Sequence, residues 1–496
     1  MDSSVLTALV LIPFGWGLAL TIIPGNMKRE IRGISAFIAL LLLALATYVF
    51  LQYDNQTSGY QFTQQFGWLK SLGITFDLGV DGISVPMVFL TGIVTFTAVL
   101  ISWNIEERAK DFFILLFLLV AGVFGVFVSL DLFFFFFFYE LAVLPMYLLI
   151  GVWGSSSDFG SFLRPKEYGA MKLMLYLVAG SILVWIGLIA VYVEGDIGSF
   201  SLTKLSNIEF SSSFQLFFFP LFMIGFGVLA GLWPFHTWSP DGHVAAPTSV
   251  SMLHAGVLMK LGAYGILRIG VDLLPYGAEY WMPALMVLGT VNVLYGAASA
   301  MGQQDLKYVI GYSSVSHMGY VLMGFATLNS IGTGGAVLQM FSHGIMTALF
   351  FALVGAIYDR THIRDIRVLE GLSKRMSITG AFFAIAGLTS LGLPGLSGFI
   401  AEIMIFIGAF QDYALFGVLG IIGAGITAVY ILRLISKVFF GPISDEWSTL
   451  KDLHRVEIFS TSILVALLVV VGLYPRPWMD MINTSVIPLI QKVAGA

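Results

Sequence analysis

The chain has 496 residues, 58% hydrophobic and 11% charged, with a formal net charge of −5 and no cysteine. A soluble globular protein carries about 25% charged residues, so this chain has too few charges to coat a soluble surface, and its small acidic excess offers no basic patch for nucleic acid. The missing cysteine excludes disulfides, thiolate metal sites, Cys-held iron–sulfur clusters and a cysteine nucleophile.

What remains is a chain of apolar runs, most of them long enough to cross hydrocarbon about 30 Å thick. Fourteen spans are expected, at about 5–24, 33–53, 83–103, 112–130, 132–153, 169–192, 214–235, 246–270, 281–300, 306–328, 332–358, 377–410, 414–440 and 456–474. The fold class is therefore an all-α polytopic membrane protein. The first run, Met1 to Pro24, has neither the basic n-region nor the small-residue cleavage site of a signal peptide, so it is expected to stay as the first span. Asp131 alone separates spans four and five, which makes them antiparallel neighbours.

Loops after odd-numbered spans hold sixteen basic residues, from Lys28 to Arg455, against Lys70, Lys204, Arg268, Arg476 and Lys492 on the other side. That asymmetry predicts cytoplasmic odd loops and both termini in the lumen or periplasm.

Two spans carry backbone breakers. Span seven contains Pro220, Gly225, Gly227, Gly231 and Pro234 and runs into FHTWSPDGHVAAP; span twelve contains GLTSLGLPGLSGFIAE. Proline removes a helix donor and clashes with the preceding turn, and freed carbonyls at bilayer depth must be met by protein or water. Two breaks five spans apart predict two inverted five-helix repeats, 112–270 and 281–440, flanked by an N-terminal section 1–111 with an extramembrane loop and a C-terminal section 441–496 with the last span.

Ionisable side chains recur inside the spans: Glu140, Lys172, Lys260, His317, His343 and Glu402. Each costs about 2.5–3.5 kcal/mol at bilayer depth on insertion scales, and repeating that cost points to movement of ions or protons through the interior. Pro145 leaves the carbonyl of Leu141 without its helical donor beside Glu140, a suitable water site. Lys260 lies mid-span, several turns from either surface, where an amine can exchange a proton. Lys172, near a helix start, has a snorkelling anchor as its rival reading. His317 and His343 sit among small hydroxyl residues and suit a relay, with a satisfied interhelical histidine as the rival. Glu402 follows the break in span twelve, near a half-helix N-terminus and open to water through the break. His254 reads as a hydrogen-bonded packing residue. His236, Asp241 and His243 match no metal-site spacing and are expected to line the mouth of the pathway. No phosphate-binding loop, dinucleotide glycine fingerprint or nucleophile elbow occurs.

The stretch FHTWSPDGHVAAPTSVSMLHAGVLMKLGAYGILR, with YSSVSHMGY, FSHGIMTALF and GLPGLSGFIAE, resembles the blocks of the antiporter-like proton-translocating subunits of complex I, over roughly Asp81 to Phe440. Glu402, where the chain 5 type typically has lysine, makes the chain most similar to the chain 4 type of the NDH-1 complex. The resemblance implies fourteen helices, an inverted repeat and a place in a membrane arm. It puts Glu140 on the span-five glutamate, Lys172 on the span-six lysine, Lys260 on the span-eight lysine, His317 and His343 on the relay histidines, and Glu402 on the exit-side glutamate.

One position departs. The family's lysine six residues before the F-H-T-W block is Leu229 here, and no Lys or Arg occurs between Leu205 and Met259. Losing one member of a buried pair costs about 3–5 kcal/mol, so Glu140 is expected either to be protonated at rest or to pair with Lys172. The loss resembles cyanobacterial paralogues of the CO2-uptake kind. The resemblance then implies a thylakoid membrane (or a bacterial inner membrane), membrane-arm neighbours including a chain 5 type subunit and a CO2-hydrating partner, lipid contact, and no cofactor bound by this chain, with quinone and iron–sulfur clusters held by partners. A multisubunit cation/proton antiporter subunit and a non-pumping assembly scaffold stand as rival functions.

Overall fold

The computed structural model describes residues 4–158 and 163–495. Two long helices open the chain, α1 (Ser4–Ile22) and α2 (Lys28–Gln52), followed by an antiparallel hairpin of β1 (Gln61–Leu69) and β2 (Ile74–Val80). Then come α3 (Ser84–Ile101), α4 (Ala109–Val128), α5 (Leu132–Trp153), a two-residue β-pair, α6 (Lys166–Gly195) and α7 (Ser212–Ala230). A short α8 (Trp238–Ala245) leads into α9 (Thr248–Val271), which contains two π-helical stretches, His254–Leu258 and Ile266–Val271. The second half comprises α10 (Pro275–Gly302), α11 (Leu306–Ala326), α12 (Ser330–Thr361), α13 (Ser377–Ser390), α14 (Ser397–Asp412), α15 (Ala414–Phe439), α16 (Arg455–Leu473) and α17 (Arg476–Ala494).

Twelve of these helices, among the described residues, are long and apolar enough to cross a membrane. The other two expected spans are present in a different form. α11 is long but carries Lys307, Ser313, Ser314, Ser316 and His317. The expected span 377–410 is the pair α13 and α14, each too short to cross alone. Three elements lay outside the sequence reading: the hairpin, the separate α8 and the whole of α17.

Burial sorts the helices into two classes. α9 from Ser249, α11 except Tyr312, and α12 over Gly332–Ile357 are buried along their length. α2, α6, α15 and α16 instead present large apolar side chains outward, among them Phe37, Leu175, Val429 and Phe459, as a lipid-facing wall requires. The buried helices are the ones bearing Lys260, His317 and His343.

The expected antiparallel contact of α4 and α5 is present and is set by small residues. A Cβ added at Gly122 would lie 2.5 Å from the Ala142 nitrogen, so the two backbones nearly touch there. Asp131 turns the chain between them: its Oδ1 accepts from Phe133 N (3.0 Å) and Phe134 N (3.2 Å), capping α5, while Oδ2 accepts from Thr75 N at 3.0 Å. The hairpin is thereby tied to the start of α5, where Trp68 and Phe76 pack on Phe133 and Phe134 at centroid distances of 5.7 Å and 5.0 Å. α5 runs unbroken through Pro145.

Both expected breaks occur. Gly231 (φ 79°) ends α7, and Gly392 (φ 72°) and Gly395 (φ 93°) lie between α13 and α14, in left-handed conformations that favour glycine. At the first break the freed backbone is met by protein. Asn292 Nδ2 of α10 donates to Gly231 O at 2.8 Å, its Oδ1 accepts from Trp233 N, and Trp238 Nε1 donates to Val228 O at 2.8 Å.

Asp77 of β2 is a buried acid with a like charge nearby. Burial first, and the Asp131 carboxylate second, push its pKa up to about 6. A carboxyl whose folded value exceeds its unfolded value of about 3.9 weakens the fold once ionised; the penalty is absent below about pH 4 and complete above about pH 6. Asp77→Asn is therefore expected to slow amide hydrogen exchange in β1 and β2 at about pH 8, with the gain shrinking as pH falls through 5; equal gains at both pH values would contradict this.

Candidate functional site

Four of the six expected residues form one file across the buried helices. Lys260 of α9 is fully buried, and its ammonium donates to the carbonyl of Ala255 and to His343 Nδ1 of α12, the latter at 2.8 Å. The carbonyl lies five residues back, inside the first π-helical stretch, where the wider turn leaves room for a side chain to reach it. The His343 ring stands 5.4 Å, centroid to centroid, from that of His317 of α11, and its Nε2 is buried without a partner. His317 Nε2 meets Ser390 Oγ at 2.9 Å, its Nδ1 meets Gln339 Nε2 at 3.3 Å, and the same Nδ1 lies 3.4 Å from Glu402 Oε1. The last distance is an ion-pair contact between the ring nitrogen and the buried carboxylate.

Amine, imidazole, imidazole and carboxylate thus follow one another from α9 through α12 and α11 to α14, each beside the next. Imidazole accepts at one nitrogen and donates at the other, so the order permits a proton to pass along it. The bonded partners of Lys260 are a neutral-capable ring and a backbone dipole, with no carboxylate at bonding distance among the described residues; its proton is held by groups that can release it.

Glu402 sits against the second break: a Cβ at Gly392 would lie 2.8 Å from its Oε2. The carboxylate is nevertheless buried, so the break touches it without opening it to bulk water as the sequence suggested. The loop 391–396 closes over the side chain, and Ser397 at the start of α14 is tied to Ser342 of α12 at 2.7 Å.

Glu140 and Lys172 fall outside this file. The expected pairing between them is not formed: the Lys172 ammonium is bound to Asp241 Oδ2 of α8 at 2.8 Å. Asp241 also receives Arg164 and the Tyr308 hydroxyl of α11, the latter at 2.9 Å. The acid in FHTWSPDGH is thus a hub with two cations and a phenol, and Lys172 has a nearer and better counter-charge than Glu140. Glu140, half-buried on α5, faces the Ser181 hydroxyl of α6 while its Oε1 has no partner. Leu229 is fully buried where α7 meets α9 so closely that a Cβ at Gly262 would lie 2.4 Å from Phe226 O. The position that would carry the missing lysine is close helix–helix contact.

His254 differs from expectation too. Neither ring nitrogen is bonded; the ring is sandwiched between Trp238 (5.3 Å) and His243 (4.0 Å). His243 Nε2 meets Ser239 Oγ at 3.1 Å, and His236 packs edge-on against Tyr295. Gln339 and Ser390 escaped the sequence reading. Gln339 lies one turn before His343 on α12, a spacing that places both on one helix face and was the available signal.

Since Lys172 is neutralised by Asp241, Lys172→Met is expected to leave the infrared carboxyl band of Glu140 and its pH titration unchanged. A shift of that band in the variant would show that the two groups are coupled after all.

The middle of the chain, residues 129–427, matches the family described as NADH:quinone oxidoreductase/Mrp antiporter, TM. The chain is 38% identical over 479 residues to NAD(P)H-quinone oxidoreductase chain 4 1 of Synechococcus elongatus, covering 95% of this chain and 88% of that one. It is 36% identical over 502 residues to NAD(P)H-quinone oxidoreductase chain 4 2 of Thermosynechococcus vestitus, covering 99% and 92%. Among solved structures it superposes on a chain of respiratory complex I from Thermus thermophilus with a TM-score of 0.89, 25% identity and 99% of each chain covered. It also shares the fold of a chain of the Mrp complex from Dietzia, with a TM-score of 0.86, 20% identity and 99% of each chain covered. Matched over more than half its length by the family and over nearly all of it by these relatives, the chain belongs to the NADH:quinone oxidoreductase/Mrp antiporter transmembrane family.

Proposed function

We propose that this chain is the chain 4 type, proton-translocating membrane-arm subunit of an NDH-1 complex, in which electron transfer to quinone in partner subunits drives proton movement here. The observation that carries the reading is the buried file Lys260–His343–His317–Glu402, whose neighbours are 2.8 Å, one ring spacing and 3.4 Å apart. A proton arriving at Lys260 passes to His343, then His317, then Glu402, and leaves when the charges of neighbouring groups change. Each transfer alters the charge felt by the next group in a medium of low dielectric, so occupancy at one end biases the other.

Quinone and iron–sulfur clusters belong to the partners, and the chain supplies only protonatable side chains. Other membrane-arm subunits flank it. Location in a thylakoid membrane with cytoplasmic odd loops, and service beside a CO2-hydrating partner, belong to the same proposal and rest on the basic-residue asymmetry and the Leu229 departure.

The two five-helix units are taken as inverted repeats. In support, α5 and α11, second in each unit, are both capped by aspartate: Asp305 Oδ1 accepts from Lys307 N at 2.8 Å and Tyr308 N at 3.2 Å, as Asp131 does for α5. The fourth span of each unit breaks at a left-handed glycine.

Lys260→Ala and Glu402→Ala are expected to abolish proton uptake coupled to quinone reduction in membrane vesicles, to background, while the complex still assembles. Undiminished pumping in both assembled variants would overturn the relay.

A further inference from the structure

Lys260 stands eight residues from Arg268 on the same helix, about 12 Å along its axis at 1.5 Å per residue. Continuing along α9 from Lys260 toward the even-loop side, Tyr264 comes first and Arg268 next, before the helix ends at Val271. The most direct way for a proton to leave Lys260 toward that surface would follow this direction. The lateral file through His343 leaves α9 altogether.

The straight route ends in a closed structure. Arg268 is buried and bound to Asp81, with side-chain exposures of only 7% and 5%. Two further donors go to phenols: Nη1 to the Tyr60 hydroxyl at 3.0 Å and Nε to the Tyr264 hydroxyl at 3.4 Å. The Tyr264 hydroxyl in turn donates to Phe127 O at 3.4 Å. Asp81 is fixed by its other oxygen, which accepts from Ile83 N and Ser84 N at 3.2 and 3.0 Å.

α17 lies over the same place. Ser485 Oγ accepts from Gly82 N at 2.8 Å, and a Cβ at Gly82 would come within 1.9 Å of Met481 O. Lys492 bonds Asp272 Oδ1 (2.9 Å) and the carbonyls of Asp272 (2.6 Å) and Ser206 (2.7 Å), fastening α17 across the end of α9.

We propose that Arg268 is an electrostatic barrier that bars protons from leaving Lys260 along α9 and so makes the lateral passage to Glu402 obligatory. Guanidinium keeps its charge at any working pH and cannot relay a proton as an amine or imidazole does, and a fixed cation excludes protons and other cations from its surroundings, on the side of Arg268 that Asp81 does not cover. Asp81, Tyr60 and Tyr264 hold that charge in place, and α17 closes the space around it. This rests on the relay reading above: a bypass matters only if the relay carries the proton.

The test is passive proton conductance of liposomes containing the intact complex, measured with no redox substrate. Arg268→Gln removes the charge and leaves a polar amide beside the phenols; it is expected to raise the leak several-fold. Asp81→Asn breaks the same ion pair but keeps the cation, and is expected to stay as tight as the parent, as is Arg268→Lys. A merely structural pair would make the glutamine and asparagine variants leak alike, and that result overturns the proposal, as does a tight Arg268→Gln. Should Arg268→Gln fail to assemble, leakage through Asp81→Asn or Arg268→Lys is the overturning result. In the double variant Arg268→Gln/Glu402→Gln the leak is expected to persist, since it bypasses the file; its disappearance also overturns the proposal. Failure of the relay itself reads out separately, as normal substrate-driven pumping in Glu402→Gln alone.

Discussion

Everything in this molecule is arranged around the cost of ionisable groups in hydrocarbon. An amine, two imidazoles and a carboxylate at bilayer depth persist only where protein surrounds them, so each of these side chains is enclosed, Glu402 by facing inward from a helix that turns Ile403, Ile407 and Phe410 outward. α9, α11 and α12 are buried along nearly their whole length for this reason, and α2, α6, α15 and α16 lie outside them with Phe37, Leu175, Val429 and Phe459 turned outward. Function and fold are the same constraint seen from two sides: the polar file needs a protein sheath, and the sheath is what makes the chain so long and so apolar.

The broken helices follow from it. A helix satisfies its own backbone; a break does not, and every freed group needs a partner. At Gly231 the partners are Asn292 and Trp238, so this break is sealed by side chains and ties α7 to α10. At Gly392 the loop lies against the Glu402 carboxylate itself. The two breaks therefore serve unlike purposes here. The first holds α8, with its Asp241 hub, against α6 and α11; the second brings non-helical backbone to the end of the file. The Leu229 position agrees with that asymmetry, being packed solid against α9 while the Lys260 side of the same helix is lined with polar atoms.

The hydropathy pattern foretold the spans because lipid imposes a single strong rule on length and polarity, and it foretold the breaks because Gly and Pro act locally. It placed Lys260, His317, His343 and Glu402 correctly as interior groups for the same reason: a charge in an apolar run is visible without knowing its neighbours. Partners are another matter. That Lys172 chooses Asp241 over Glu140 depends on how α6 meets α8, which spacing along the chain does not encode. α11 reads as only moderately apolar because its lipid is protein, and α17 was overlooked because its one-sided apolar stripe is a surface-lying pattern rather than a spanning one. The hairpin was lost between two strong helical signals, its alternation blurred by Trp68 and Phe76 packing on α5.

The fastening of α17 also bears on how the molecule is made. Lys492 grips the turn after α9 and the segment before α7, and Ser485 grips the turn before α3. Two residues translated after the other helices join three segments that left the ribosome long before them. Until that clasp closes, the even-loop end of α9 remains uncovered, so a half-built chain is held together by its helices but not yet watertight. The order of synthesis thus places this sealing after the interior file has already been assembled around its charges.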